Sequence, residues 1–309
     1  MFKRILLLLV VGLVVLVASQ IRPDIPLDTL KTTYAPPPSQ FMALDGMEVH
    51  YRDEGQGPAL VLLHGTAASL HTWEGWTTAL QDSFRVIRLD LPAFGLTGPN
   101  ATHDYHIDTY VAFLHRFLER LGVERMHLAG NSLGGHIAWR YALAYPEAID
   151  KLILVDPAGY PSDEPPPLVF TLGQTPILNQ LLTLTSPRSL LKKSLLDVYA
   201  DDTRVTPELI DRYQDLSRRP GNRAAFVART QMVEENRFED IRHIQAPTLL
   251  LWGEQDFWTP FADAKHYEAA LPNATLISYP DAGHVPMEEY PERTAADVRR
   301  FLLETDGEE

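Results

Sequence analysis

An α/β fold, built on a mostly parallel, doubly wound sheet with a helical lid insertion, is predicted by three features of this sequence. Apolar runs recur at Ala59–Leu63, Phe84–Leu89, Met126–Ala129, Lys151–Val155, Thr248–Trp252 and Ala274–Tyr279, as strands buried on both faces require. Helical patterns separate them, and strand–helix alternation reads as a parallel sheet covered on both sides. From Gly159 to about Asp240 the strand rhythm stops and helical signals take over, which places an insertion between two strands of one sheet.

The chain has 309 residues and opens with Lys3 and Arg4 ahead of an apolar run from Ile5 to Ala18. Residues 1–20 therefore read as a secretory signal, with Val17-Ala18-Ser19 as its cleavage site, or as an uncleaved anchor. The run falls short of the ~20 residues of a full span unless Ser19, Gln20 and Ile21 sit at the interface. The anchor is the preferred reading, and the basic residues place the N-terminus in the cytoplasm and the folded part outside it. Cleavage would instead release a periplasmic or secreted protein. Residues 21–40 carry Pro23, Pro26 and Pro36-Pro37-Pro38 and are expected to form an extended, semi-rigid linker.

The core's first part spans 41–158. It begins with a hairpin, Phe41–Leu44 and Met47–Tyr51, turned at Asp45-Gly46. Trp73–Leu80 and Tyr110–Leu121 read as helices, the second closed by Gly122. The cap, 159–240, opens with Pro165-Pro166-Pro167. Ser186-Pro187 and Thr206-Pro207 each read as an N-cap followed by proline at the first helical position, and a further helix is expected over Asn222–Glu235. The core resumes over 241–305, with helices at Phe261–Leu271 and Pro291–Leu303.

Composition narrows the function classes. There is no cysteine, which excludes disulfides, thiolate metal sites and a cysteine nucleophile. A net charge of −14 opposes phosphate backbones, so nucleic acid is not an expected partner. The sequence has no H-E-x-x-H motif, dinucleotide fingerprint or P-loop, so neither a metal nor a cofactor is expected.

The chemistry centres on Gly130-Asn131-Ser132-Leu133-Gly134, at the junction of a strand with a helix. Glycines two residues either side of Ser132 let the helix pass close to the strand and leave the serine exposed at the apex of a strained turn. This is the G-x-S-x-G nucleophile elbow. A serine hydroxyl needs a base within hydrogen-bond reach, and the base needs an orienting group. Of the eleven histidines, His284 is the best placed, in a loop after the last strand and preceded by Gly283. Asp256, just after a core strand, is the orienting acid, with Glu254 and Asp156 as alternatives. The oxyanion donors are the backbone N–H groups of Leu133 and Thr66. His136 is turned along its helix, His64 braces its loop, and Asp90 does the same for the loop that follows it.

With these residues in place the sequence resembles the α/β-hydrolase fold enzymes of the lidded kind, near the esterase, cofactor-free haloperoxidase and carbon–carbon bond hydrolase branches. The resemblance rests on Leu62-Leu63-His64-Gly65, Asp90-Leu91-Pro92-Ala93-Phe94-Gly95, Gly130 to Gly135, Trp252 to Asp256 and Gly283-His284. It spans about Phe41 to Leu303. The order serine, acid, histidine is the order of that family. Ala93 departs from its usual glycine. Ser132 argues against the related epoxide hydrolases and haloalkane dehalogenases, which carry aspartate at the apex. The resemblance implies a serine hydrolase of carboxylic esters or related acyl compounds acting on an apolar small-molecule acyl substrate; membrane contact is expected through the N-terminal segment alone, from its apolar run. Two alternatives stand beside it. One is carbon–carbon bond hydrolysis or perhydrolysis by the same triad, the former favoured if an arginine such as Arg188, Arg218, Arg219 or Arg223 awaits a substrate carboxylate. The other is a binding module without turnover.

Overall fold

The computed structural model describes Arg4, residues 19–162 and residues 165–304. Apart from Arg4, Ser19 and Gln20, the expected signal or anchor lies outside these residues. Among the described residues no helix is long and apolar enough to cross a membrane.

Eight strands form one sheet: β1 (Gln40–Leu44), β2 (Met47–Glu54), β3 (Ala59–Leu63), β4 (Arg85–Leu89), β5 (Met126–Ser132), β6 (Ile149–Pro157), β7 (Thr248–Gly253) and β8 (Ala274–Tyr279). Their spatial order is β1-β2-β4-β3-β5-β6-β7-β8. The hairpin β1–β2 is antiparallel and joins β4 in antiparallel register, and every other pairing is parallel. The central strands are buried almost throughout, which is why their sequences are apolar without alternation. Two apolar layers flank the sheet. One holds Tyr110, Phe117, Ile137 and Trp139, and the other Trp73, Trp76, Val298 and Leu302.

The insertion between β6 and β7 is helical, with helices at Leu168–Gln174, Leu178–Leu184, Arg188–Val198, Pro207–Ser217 and Asn222–Thr230. Thr206 caps as expected, its Oγ1 accepting the Leu209 N–H at 3.2 Å. Pro187 sits one position earlier than expected, at the N-cap itself.

The segment expected to be an extended linker is partly helical. Leu27–Tyr34 forms a helix that buries Leu30 against Leu96 of the core and Leu216 of the cap. Tyr34 donates to Asp215 at 2.9 Å. Upstream, Ile21 bridges Thr185, the Arg22 N–H reaches the Leu184 carbonyl at 3.2 Å, and the Ile25 N–H reaches that of Arg218 at 2.8 Å. Residues 21–34 are thus bound to the cap.

Candidate active site

Thr66, Ser132, Asp256 and His284 all lie at or just beyond the carboxyl ends of β3, β5, β7 and β8, the edge where open α/β sheets bind ligands. Ser132 has φ +54° and ψ −116°, in the left-handed half of conformational space that a non-glycine residue seldom adopts. Close packing holds it there. A Cβ on Gly134 would stand 2.1 Å from the Leu63 carbonyl oxygen, so the helix Leu133–Ala144 touches β3 directly. Gly134→Ala is expected to cost about 3 kcal/mol or more, read as a fall in thermal midpoint or as insoluble protein. A Cβ on Gly65 would lie 3.2 Å from the Ser132 Cβ, which seats the Thr66 loop against the elbow.

His284 is buried, and its Nδ1 pairs with Asp256 Oδ2 at 2.6 Å. The carboxylate is held in turn. Its Oδ1 accepts the Trp258 and Thr259 backbone N–H groups at 2.6 and 3.1 Å, and its Oδ2 accepts the Thr259 hydroxyl at 2.5 Å. The other ring nitrogen, His284 Nε2, is buried without a hydrogen-bond partner among the described residues. Ser132 and His284 line one cavity, whose walls include Val169, Phe170, Leu182, Leu191, Leu195 and Phe226. The serine–histidine hydrogen bond is not closed here. Such bonds are often long in substrate-free hydrolases and tighten in the Michaelis complex.

Three residues that sequence reasoning missed tie the site together. Asn131 donates to the His284 carbonyl at 2.9 Å and to the Val155 carbonyl at 3.1 Å. Buried Glu289 accepts the N–H groups of Gly283 at 2.6 Å, Ala200 at 2.9 Å and Asp201 at 3.1 Å, fastening the histidine loop to the cap. The Trp258 ring lies 5.6 Å from the imidazole. Asn131 could have been suspected from its place inside the elbow. Glu289 gives no sequence signal, because its partners are remote.

The alternative acids separate. Glu254 is exposed and accepts the Ser278 hydroxyl at 2.7 Å. Asp156 lies beside Asp256, with one donor atom each from Asp156, Asp256 and His284 within 4.8 Å of one another. A metal ion holds its nitrogen and oxygen ligands about 3 Å or more apart, given bonds of about 2.1 Å. The 2.6 Å contact between His284 and Asp256 is a hydrogen bond and leaves no space for an ion between them.

Three other histidines, His136, His64 and His50, are engaged within the fold. His136 stacks on Trp139 at 4.8 Å, and burial pushes it down to about 3. His64 accepts the Leu91 N–H at Nε2 and pairs with the Gly65 carbonyl at Nδ1. A second serine–histidine–aspartate chain is present, with Ser39 Oγ 2.9 Å from His50 Nε2 and His50 Nδ1 2.7 Å from Asp90 Oδ2. It braces the fold. Arg52 donates to Ser39 Oγ, and Asp90 also accepts the Leu70 and Leu96 N–H groups, each at 2.7 Å. None of these three residues lines the apolar cavity.

The chain belongs to the alpha/beta hydrolase fold family, which it matches over residues 58–291. It is 31% identical to the 2-hydroxy-6-oxononadienedioate/2-hydroxy-6-oxononatrienedioate hydrolase of Paraburkholderia phymatum, over 89% of this chain and 99% of that one. Among solved structures it resembles a thermophilic esterase from Thermogutta terrifontis (25% identity, TM-score 0.72, 85% of this chain and 96% of that one). It also resembles a membrane phospholipase A described as a bacterial virulence factor (29% identity, TM-score 0.72, 97% of this chain and 98% of that one).

Proposed function

We propose that this chain is a serine hydrolase of carboxylic esters with apolar acyl chains, held at a membrane by its N-terminal segment with the folded part outside the cytoplasm. The observation that carries the reading is His284, fixed by Asp256 on one side and presenting a free buried nitrogen on the other, in the same apolar cavity as Ser132. His284 takes the Ser132 proton as the hydroxyl attacks the ester carbonyl. The N–H groups of Leu133, first residue of its helix, and Thr66 stabilise the oxyanion, each worth about 10²–10³ in rate. The imidazolium then protonates the leaving alcohol. The same histidine activates the water that cleaves the acyl-enzyme.

The arginines favour esters over the dienoate substrates named for the Paraburkholderia relative. Each is already engaged: Arg188 by Asp211, Arg218 by the Pro23 carbonyl, Arg219 by the Leu96 and Thr97 carbonyls, and Arg223 by the Arg22 carbonyl and Asp24. Only Arg223 lines the cavity, and its guanidinium is turned to those partners. Three observations support lipid-like esters. Residues 21–25 bind the cap at Thr185 and Arg223, both of which line the cavity, so these residues meet the fold at the cavity's rim. Ile21, Leu168, Ile177, Leu178 and Leu184, on that segment and the cap, are exposed. The likeness to the membrane phospholipase A runs through 97% of this chain.

The test is a series of p-nitrophenyl esters of graded chain length. The expected result is kcat/KM rising from acetate into the medium-chain esters. Leu191→Trp, which narrows the apolar wall, is expected to lower the medium-chain rate about tenfold while the acetate rate holds. The loss corresponds to about two methylenes left unburied at ~0.8 kcal/mol each. A flat profile in both proteins would remove the acyl-pocket assignment.

A further inference from the structure

Asp156 closes β6 in the left-handed region, at φ +43°, and is completely buried. Its Oδ1 accepts the Gly253 N–H at 2.9 Å, from the end of β7. Its Oδ2 is buried and receives no donor among the described residues. Beside it stands the Asp256 carboxylate, whose two oxygens already accept two backbone N–H groups, a hydroxyl and the imidazole. A buried, partnerless carboxylate oxygen next to a second carboxylate is a costly arrangement unless one of the two acids keeps its proton.

We propose that Asp156 is a positioning residue that donates its carboxyl proton from Oδ2 to the Asp256 carboxylate, so that the pair carries one negative charge behind His284. This rests on the triad reading above.

The charges around the pair agree. Asp156 faces Asp256 and Glu289, and Tyr279 lies within its field, while Asp263 bears on Asp256. The basic groups bearing on these acids are His284 on Asp256, His266 on Asp263, Arg204 on Glu289 and Arg293 on Tyr279. Burial, then the charge of Asp256, push the Asp156 carboxyl well above its ordinary range, and the Gly253 N–H only partly opposes this. Asp256, by contrast, has the N–H and hydroxyl donors that stabilise a carboxylate. The assignment is therefore fixed by hydrogen bonding: Asp156 neutral and donating, Asp256 charged and accepting. The arrangement serves catalysis by withdrawing part of the Asp256 charge from the imidazole. With the donor removed, the full Asp256 charge acts on the imidazolium that forms during turnover.

The experiment compares Asp156→Asn and Asp156→Ala in the full chain. The amide of asparagine donates where the acid did, so Asp156→Asn is expected to keep kcat/KM within about threefold and the acid limb of its pH profile in place. Asp156→Ala removes the donor, and the acid limb is expected to move up by about one pH unit. Should the alanine protein fail to fold, Asp156→Leu takes its place, and the asparagine variant remains decisive by itself. Loss of 10²-fold or more in a folded Asp156→Asn protein would overturn the proposal, since it would mean that the residue acts as an anion. An unmoved acid limb in the alanine or leucine variant would overturn it too. The pH dependence is read both on ester turnover and on labelling by a fluorophosphonate. Labelling without turnover in the wild type would count against the ester reading and leave the Asp156 measurement intact.

Discussion

Ser132→Ala is expected to lower ester turnover by about 10⁶-fold, to near the rate left by binding and oxyanion stabilisation alone. The size follows from the division of labour. His284 and Asp256 act on the reaction only through the serine oxygen, so removing that oxygen idles the whole assembly. The fold should be indifferent to the change. The strained backbone at φ +54° is set by the approach of Gly134 to Leu63, and the serine side chain caps no helix. Circular dichroism and thermal midpoint within about 2 °C of wild type would separate loss of chemistry from loss of structure.

The second large effect is Asp256→Asn, expected to cost about 10⁴ in kcat with the fold intact. An asparagine keeps one oxygen for the Trp258 and Thr259 N–H groups, which preserves the turn. Its amide nitrogen replaces the oxygen now 2.6 Å from His284 Nδ1 and faces the ring with a donor. The imidazole must then adopt the tautomer whose Nε2 carries a proton and cannot accept one from Ser132. Activity near the wild-type level would transfer the acid's role to Asp156, the other carboxylate beside the pair.

What was legible in the sequence was what backbone rules dictate. The elbow declared itself because a strand–turn–helix junction this tight has to exclude side chains at Gly130 and Gly134. Asp256 and His284 could be placed because both follow apolar strands of a parallel sheet, and such strands deliver their loops to one edge. Thr206 was readable as a cap because the capping bond is local. The helix Leu27–Tyr34 was hidden by the prolines on either side of it. Pro26 is its N-cap and Pro36-Pro37-Pro38 follow its end, a flanking that a tally of prolines reads as an extended linker. The spacing of Leu27, Leu30 and Tyr34 was the signal to the contrary. The Asp156–Asp256 contact was not readable, because it depends on the register of β6 against β7, which are separated by the whole cap. The arginines were undecided for the same reason. Whether a guanidinium awaits a substrate or is spent on the protein depends on contacts such as that of Arg223 with Asp24, which are some 200 positions apart.

The most direct test of the account is where a fluorophosphonate attaches. Intact-mass and peptide analysis of the full chain should find one adduct, on the peptide carrying Ser132, lost in Ser132→Ala and slowed in Asp256→Asn. A folded protein that takes no label, or takes it at Ser39 in the second serine–histidine–aspartate chain, would contradict the assignment of Ser132 as the nucleophile.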